Sequence, residues 1–168
     1  LIGAVYFFGI RALTMAIVSM GGAIFFEWLY QRIMKKESTL QDWSAAVTGL
    51  LIAMVSPASI PYWVLLVGDF FAIVVVKQLF GGIGKNFVNP ALAGRAFLVG
   101  SYAGAMTTWI AAGEKAPLIG SAEIVTAATP LAYMKTGDME TLKGLFGIKE
   151  MFLGQIGGSL GEVSSLLL

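Results

Sequence analysis

Long apolar runs separated by short polar breaks organise this chain. A spanning helix needs roughly 20 mostly apolar residues, and several stretches meet or approach that length. Leu1–Phe8 reads as the tail of one span, broken by Gly9 and Arg11, and Ala12–Ile33 as a full span. Ser44–Val55 is apolar but short, and Pro57 and Pro61 follow it, so it either crosses with its proline turn at the far surface or re-enters. Trp63–Phe80 and Ala91–Ala112 are the next two spans. The pattern then changes: residues 113–150 carry charges, glycines and prolines with short apolar pieces between them, and Met151–Leu168 begins a further span. The predicted fold is all-α, a polytopic transmembrane bundle in residues 1–112 with an extramembrane loop over 113–150 and the start of another helix over 151–168. Because the sequence opens without methionine and stops inside an apolar run, it is expected to be part of a longer subunit.

Composition strengthens the membrane assignment. The 168 residues are 57% hydrophobic and 12% charged, about half the roughly 25% charge of soluble domains. Trp28, Trp43, Trp63 and Trp109 each fall near a segment end, at the headgroup level that indole prefers. Glycine, 21 of 168, is well above the average of about 7%, and many glycines lie within spans, where small residues let helices approach. The Arg32, Lys35 and Lys36 cluster places residues 31–42 on the cytoplasmic side. Counting onward puts residues 81–90 inside as well and 113–150 outside. The remaining Lys and Arg residues, Lys77, Lys85 and Arg95 inside against Arg11, Lys115, Lys135, Lys143 and Lys149 outside, add little to that orientation.

A net charge of +1 gives no basic field for nucleic acid, so the expected environment is the lipid bilayer. Histidine and cysteine are both zero. That excludes disulfides, thiol nucleophiles, cysteine-held iron–sulfur clusters, histidine-ligated haem and conventional zinc sites within these residues. Redox chemistry here requires an organic cofactor or a neighbouring subunit, and no metal ligands are expected.

Ionisable groups inside spans are costly and therefore informative. Asp69 falls near the middle of Trp63–Phe80, either as a proton or sodium relay or as a carboxylate paired with another subunit or facing a wet cleft. Glu27 and Lys77 fall near span ends and are expected to snorkel; Glu162 lies early in the final segment. Between two spans runs Gly81-Gly82-Ile83-Gly84-Lys85-Asn86-Phe87-Val88-Asn89-Pro90-Ala91. Its glycines leave backbone amides open, and its asparagines donate and accept. The segment is not a Walker loop, because Asn86 follows Gly84-Lys85 and no strand precedes it. These residues fit both a tight interhelical turn capped by Asn89 and a binding loop.

Taken together, four segments resemble a known family. They are Asp42-Trp43-Ser44-Ala45-Ala46-Val47-Thr48-Gly49-Leu50-Leu51, Lys77-Gln78-Leu79-Phe80 running through 81–91 to Gly94-Arg95-Ala96-Phe97-Leu98, Thr126-Ala127-Ala128-Thr129-Pro130-Leu131, and Gly157-Gly158-Ser159-Leu160-Gly161-Glu162. In this order they resemble the D subunit of the Rnf complex, which couples ferredoxin oxidation and NAD reduction to ion transport. The chain is similar, more distantly, to the B subunit of the sodium-translocating NADH:quinone reductase. The resemblance implies that Thr129 carries FMN through a phosphoester, with Thr126 at the first motif position and Glu123 as the upstream acid; Ala127 stands where glycine is usual and Glu123 where aspartate is usual. Lys115 and Lys135 are near enough in sequence to tune that flavin.

The resemblance also implies a second, non-covalent flavin, riboflavin, near the inner face, held by Gly82, Gly84, Asn86 and Asn89. It further implies a flavin transferase for maturation, partner subunits carrying iron–sulfur clusters and another flavin, and a prokaryotic plasma membrane with the Thr129 loop outside. On this expectation the chain is a subunit of an oxidoreductase and incomplete alone. The alternative of another class is an ion-transporter subunit without a cofactor, built on a broken helix near Pro57–Pro61 and on Asp69.

Overall fold

The computed structural model describes residues 1–110, 134–135 and 158–161. Thr129, Thr126, Glu123, Lys115 and Glu162 lie outside them. Helix α1 covers Ile2–Phe8 and α2 covers Ile10–Ile33, with Gly9 between them at φ 74. At 1.5 Å per residue the 24 residues of α2 reach about 36 Å, enough to cross a hydrocarbon core of about 30 Å. Among the described residues α2 is the one helix long and apolar enough for that.

The face that α2 buries is not the most apolar one. Arg11, Met15, Ser19, Ala23, Glu27 and Gln31 recur at every fourth position and are all buried. Ile10, Leu13, Ile17, Phe25, Trp28 and Ile33 are exposed. Fourth-residue spacing lines up one helix face, so polar groups point inward and large apolar ones outward. That is the inverse of a soluble amphipathic helix and suits a lipid exterior.

A short 3-10 turn at Leu40–Asp42 leads into α3, Ser44–Met54. Asp42 Oδ1 accepts the Ser44 N–H and O–H at 2.9 and 2.6 Å, which fixes the start of α3. Helix α3 runs back along α2 at very short range. A Cβ built on Gly49 would stand 2.5 Å from the Ser19 carbonyl oxygen, so the approach requires glycine.

After α3 the chain stays mostly packed inside the protein until Pro61. Ser56, Pro57, Ala58 and Ile60 are all buried. The proline segment is thus packed against the rest of the protein up to Ile60, and Pro61 is exposed. Non-helical backbone away from water needs internal partners, and it finds them. Arg11 Nε donates to the Ala58 carbonyl at 2.6 Å, and Arg11 Nη2 donates to that of Ile60 at 3.0 Å. Leu160 N–H donates to the Ser56 carbonyl at 3.1 Å, and Gly161 N–H to that of Met54 at 2.7 Å. Arg11, counted from sequence as an outer-side cation, is thus an interior donor at 6% exposure.

Helix α4, Tyr62–Phe70, continues directly as a π-helix over Phe71–Gln78. Helix α5, Pro90–Ser101, starts at the proline with Asn89 as its cap, and α6, Ala103–Thr107, follows a break at Tyr102. The span expected to run unbroken from Ala91 is interrupted there. Gly100, Ser101 and Gly104 are weak helix formers, and the Tyr102 ring packs edge-on against Trp63 at 5.4 Å. Helix α5 lies against α4 through Gly94, where a Cβ would be 3.1 Å from both Ala72 Cβ and the Gly68 carbonyl. The core joining these helices includes Phe8, Met15, Ile52, Ile60, Leu65 and Leu98.

Candidate functional site

Three polar features stand out, two of them on the inward stripe of α2. Glu27 is fully buried and meets Lys77 of the π-helix, which is 2% exposed, at 2.8 Å. Gln78 Nε2 donates to Glu27 Oε1 at 2.6 Å, and the Thr39 hydroxyl and Gln31 amide donate to the same oxygen at 3.2 and 3.3 Å. Lys77 Nζ also donates to Ser44 Oγ at the start of α3. Snorkelling was expected of both Glu27 and Lys77; instead they pair with each other across helices. Two consecutive π-helix residues, Lys77 and Gln78, reach the same carboxylate, and that convergence joins α2, α3 and the π-helix at one end of the bundle.

One level deeper, Ser19 Oγ lies 2.8 Å from Asp69 Oδ1 and 2.7 Å from the Gly49 carbonyl oxygen. Asp69 is fully buried, and its Oδ2 has no hydrogen-bond partner. The expected interior position of Asp69 is met, and the group it meets is the Ser19 hydroxyl.

The third feature is a cleft of about 580 Å³ between α3 and the loop that precedes α5. Ser44, Thr48 and Lys77 line its inner side, and Gly84, Asn86, Phe87, Val88 and Asn89 its outer side. The loop is shaped by Gly81, Gly82 and Gly84 at φ 102, 94 and 80, in the left-handed region that other residues rarely adopt. No Cβ clash exists at Gly82 or Gly84, so backbone conformation alone demands glycine there.

The asparagines are largely occupied by the loop itself. Asn89 Oδ1 accepts the Ala91 N–H at 2.9 Å. In the orientation dictated by the surrounding carbonyls, the Asn86 amide donates to those of Val76, Lys77 and Gly82 at 3.2, 3.3 and 3.1 Å, closing the end of the π-helix. Of the residues expected to hold a second flavin, Gly84, Asn86 and Asn89 come together on this cleft. Gly82 lies on a neighbouring recess of about 230 Å³ with Gln31, Thr39, Asp42 and Gln78. The inner wall of Ser44, Thr48 and Lys77 was not singled out as a site from sequence; a short apolar helix carrying two hydroxyls was the available signal.

At the rim, burial disfavours the Asp42 charge. The Ser44 N–H and O–H and the nearby Lys77 ammonium outweigh that and hold its carboxyl below the ordinary value of 3.8. Among the described residues no three His, Cys, Asp or Glu side chains come together as they would around a metal ion.

Across residues 1–168 the sequence matches the model of the NQR2, RnfD, RnfE family. The chain belongs to that family. Within it, the chain is 41% identical over 165 residues to the D subunit of the Na(+)-translocating ferredoxin:NAD(+) oxidoreductase complex of Acetobacterium woodii, covering 97% of this chain and 49% of that protein. To the D subunit of the proton-translocating ferredoxin:NAD(+) oxidoreductase complex of Clostridium ljungdahlii it is 40% identical over 169 residues, covering 98% and 50%. To the B subunit of the Na(+)-translocating NADH-quinone reductase of Chromohalobacter salexigens it is 36% identical over 168 residues, covering 98% and 36%. The chain therefore spans about half the length of the two ferredoxin:NAD(+) oxidoreductase relatives and about a third of the quinone-reductase relative.

Proposed function

We propose that this chain is part of a D-type subunit of an ion-translocating ferredoxin:NAD oxidoreductase in a prokaryotic plasma membrane, carrying electrons on flavin between partner subunits. The observation that carries this reading is the 41% identity, over 97% of the chain, to a D subunit named for that activity. The inward-polar, outward-apolar face of α2 agrees with a membrane-embedded role. The subunit works as one component of a translocase, beside partners with iron–sulfur clusters and flavin, and is incomplete alone.

Two flavins belong to the proposal. FMN is esterified to the Thr129 hydroxyl, within the segment Thr126-Ala127-Ala128-Thr129-Pro130 and with Glu123 upstream, on the outer face. A flavin transferase installs that bond. A second, non-covalent flavin, riboflavin, occupies the cleft between α3 and the loop of residues 81–89, near the inner face. Its volume of about 580 Å³ falls within the roughly 300–1,000 Å³ of small-molecule sites. Phe87 and Val88 supply apolar walls, Ser44, Thr48 and Lys77 polar groups, and Gly84 an exposed backbone. Asn86 and Asn89 hold the loop in shape, and Gly82 sets its turn. When bound, flavin supplies one- and two-electron chemistry that the side chains lack.

The decisive experiment uses the full-length subunit expressed with its transferase. The denatured protein should fluoresce under ultraviolet light, and a peptide mass should place FMN on Thr129; Thr129→Ala should abolish both signals. A dark band from matured wild-type protein would overturn the covalent flavin and favour a cofactor-free ion-transporter subunit. Cysteine-accessibility labelling should place positions 84 and 129 on opposite sides of the membrane. The quinone-reductase reading rests on the 36% identity to that relative; reduction of quinone in place of NAD by the assembled complex would select it.

A further inference from the structure

The hydrogens available around Asp69 do not suffice for the contacts it makes. Ser19 Oγ is 2.7 Å from one oxygen and 2.8 Å from another, the Gly49 carbonyl and Asp69 Oδ1. With an ionised carboxylate both neighbours are acceptors only, and a hydroxyl brings one hydrogen. One of the two short oxygen–oxygen contacts would then have no hydrogen in it and would be repulsive. The close packing of α3 on α2 is what brings the Gly49 carbonyl up to Ser19.

Charge points the same way. Asp69 is fully buried and its Oδ2 is without a partner. An unpaired buried charge is far more costly than a neutral acid. On α2 the ionisable groups are Arg11, Glu27, Tyr30 and Arg32. Arg11 donates to the carbonyls of Ala58 and Ile60, and Glu27 is matched by Lys77. Helix α3 carries no ionisable side chain, and α5 carries Arg95.

We propose that Asp69 and Ser19 form a proton-binding site inside the bundle, in which Asp69 carries an exchangeable proton and donates it in a hydrogen bond to Ser19. One proton closes the set: the Asp69 O–H donates to Ser19 Oγ, and the Ser19 O–H donates to the Gly49 carbonyl. The carboxyl becomes neutral, and Oδ2 becomes a carbonyl oxygen, which is far less costly to leave unpartnered than a charge. A metal ion placed among the same three oxygens would have to push them beyond the hydrogen-bonding separations they hold. The site therefore selects a proton over sodium. It deepens the ion-translocating reading above, yet its occupancy does not depend on that reading.

The test uses the full-length subunit in its purified complex. The infrared difference spectrum between wild type and Asp69→Asn at neutral pH should contain the carbonyl stretch of a protonated carboxylic acid, lost in the variant. That band should shift in D₂O and should stay unchanged when potassium is replaced by sodium at constant pH. Ser19→Ala should keep the band and move it to higher frequency, because the acid loses its acceptor; this variant carries the test if Asp69→Asn does not assemble. Carboxylate stretches in place of the acid band would overturn the proposal. So would an acid band that sodium removes, which would make the site a sodium site. Flavin fluorescence is read on the same preparations: an acid band in flavin-free protein would defeat the electron-carrier reading while leaving the proton site intact.

Discussion

Lys77 and Glu27 come from positions fifty residues apart and meet where neither reaches water. Each is tolerable as an ion because of the other. Removing one partner of such a pair strands the remaining charge, at a cost of about 3–5 kcal/mol. Lys77→Met should therefore lower the melting temperature of the purified subunit sharply, and adding Glu27→Gln should restore most of the loss. A double variant as unstable as the single one would show that the instability arises elsewhere. Sequence could mark Glu27, Lys77 and Asp69 as costly residues within apolar segments. It could not show that a stripe of every fourth residue on α2 faces the π-helix, so snorkelling was the natural expectation for two residues near span ends. Gly82 and Gly84 were legible as unusual, and the structure supplies the reason in their positive φ. Asn89 caps α5 through its side-chain oxygen, as the turn reading of this loop had it, and the Asn86 amide donates to backbone carbonyls.

At the level of helices, boundaries marked by backbone chemistry were readable. Gly9 ends α1, and Pro90 with Asn89 starts α5. The π-helix and the break at Tyr102 were not readable, because both arise from packing between elements. Packing also gives the sharpest helix-level prediction. A Cβ at position 49 would stand 2.5 Å from the Ser19 carbonyl, whereas one at Gly21 would meet nothing within 4 Å. Gly49→Ala should destabilise by about 1–3 kcal/mol, the usual range for overpacking. Gly21→Ala should be neutral or gain up to about 1 kcal/mol of helix propensity. Thermal unfolding of the two variants side by side checks the contrast; equal effects would mean that α3 does not lie against α2 as described.

Across the molecule, α2 has the length of a bilayer while α3 stops after 11 residues and hands over to buried, non-helical chain. Arg11 makes that interior break tolerable by donating to carbonyls on residues 58 and 60. Arg11→Ala should leave those carbonyls unmatched and expose the 55–61 turn to added protease. Arg11→Lys should rescue little, since an ammonium is a point charge without the planar fork of guanidinium. Full protection of the turn in both variants would show that the other contacts suffice. The prolines announced a break in the sequence; its packing was not legible, because it depends on Arg11, whose interior partners the sequence does not reveal.

The π-helix also has a consequence for how this gene can change length. Its wider bonding persists beyond its end, where Leu79 N–H donates to the Val74 carbonyl at 3.1 Å and Gly82 N–H to that of Lys77 at 2.9 Å, both five residues back. Losing one residue between 71 and 78 would let the chain relax into an ordinary helix. It would also rotate Lys77 and Gln78 away from Glu27 and pull the 81–89 loop off its cleft. In a library of single-codon deletions, this stretch should tolerate none, while the exposed turn at residues 34–38 should accept several.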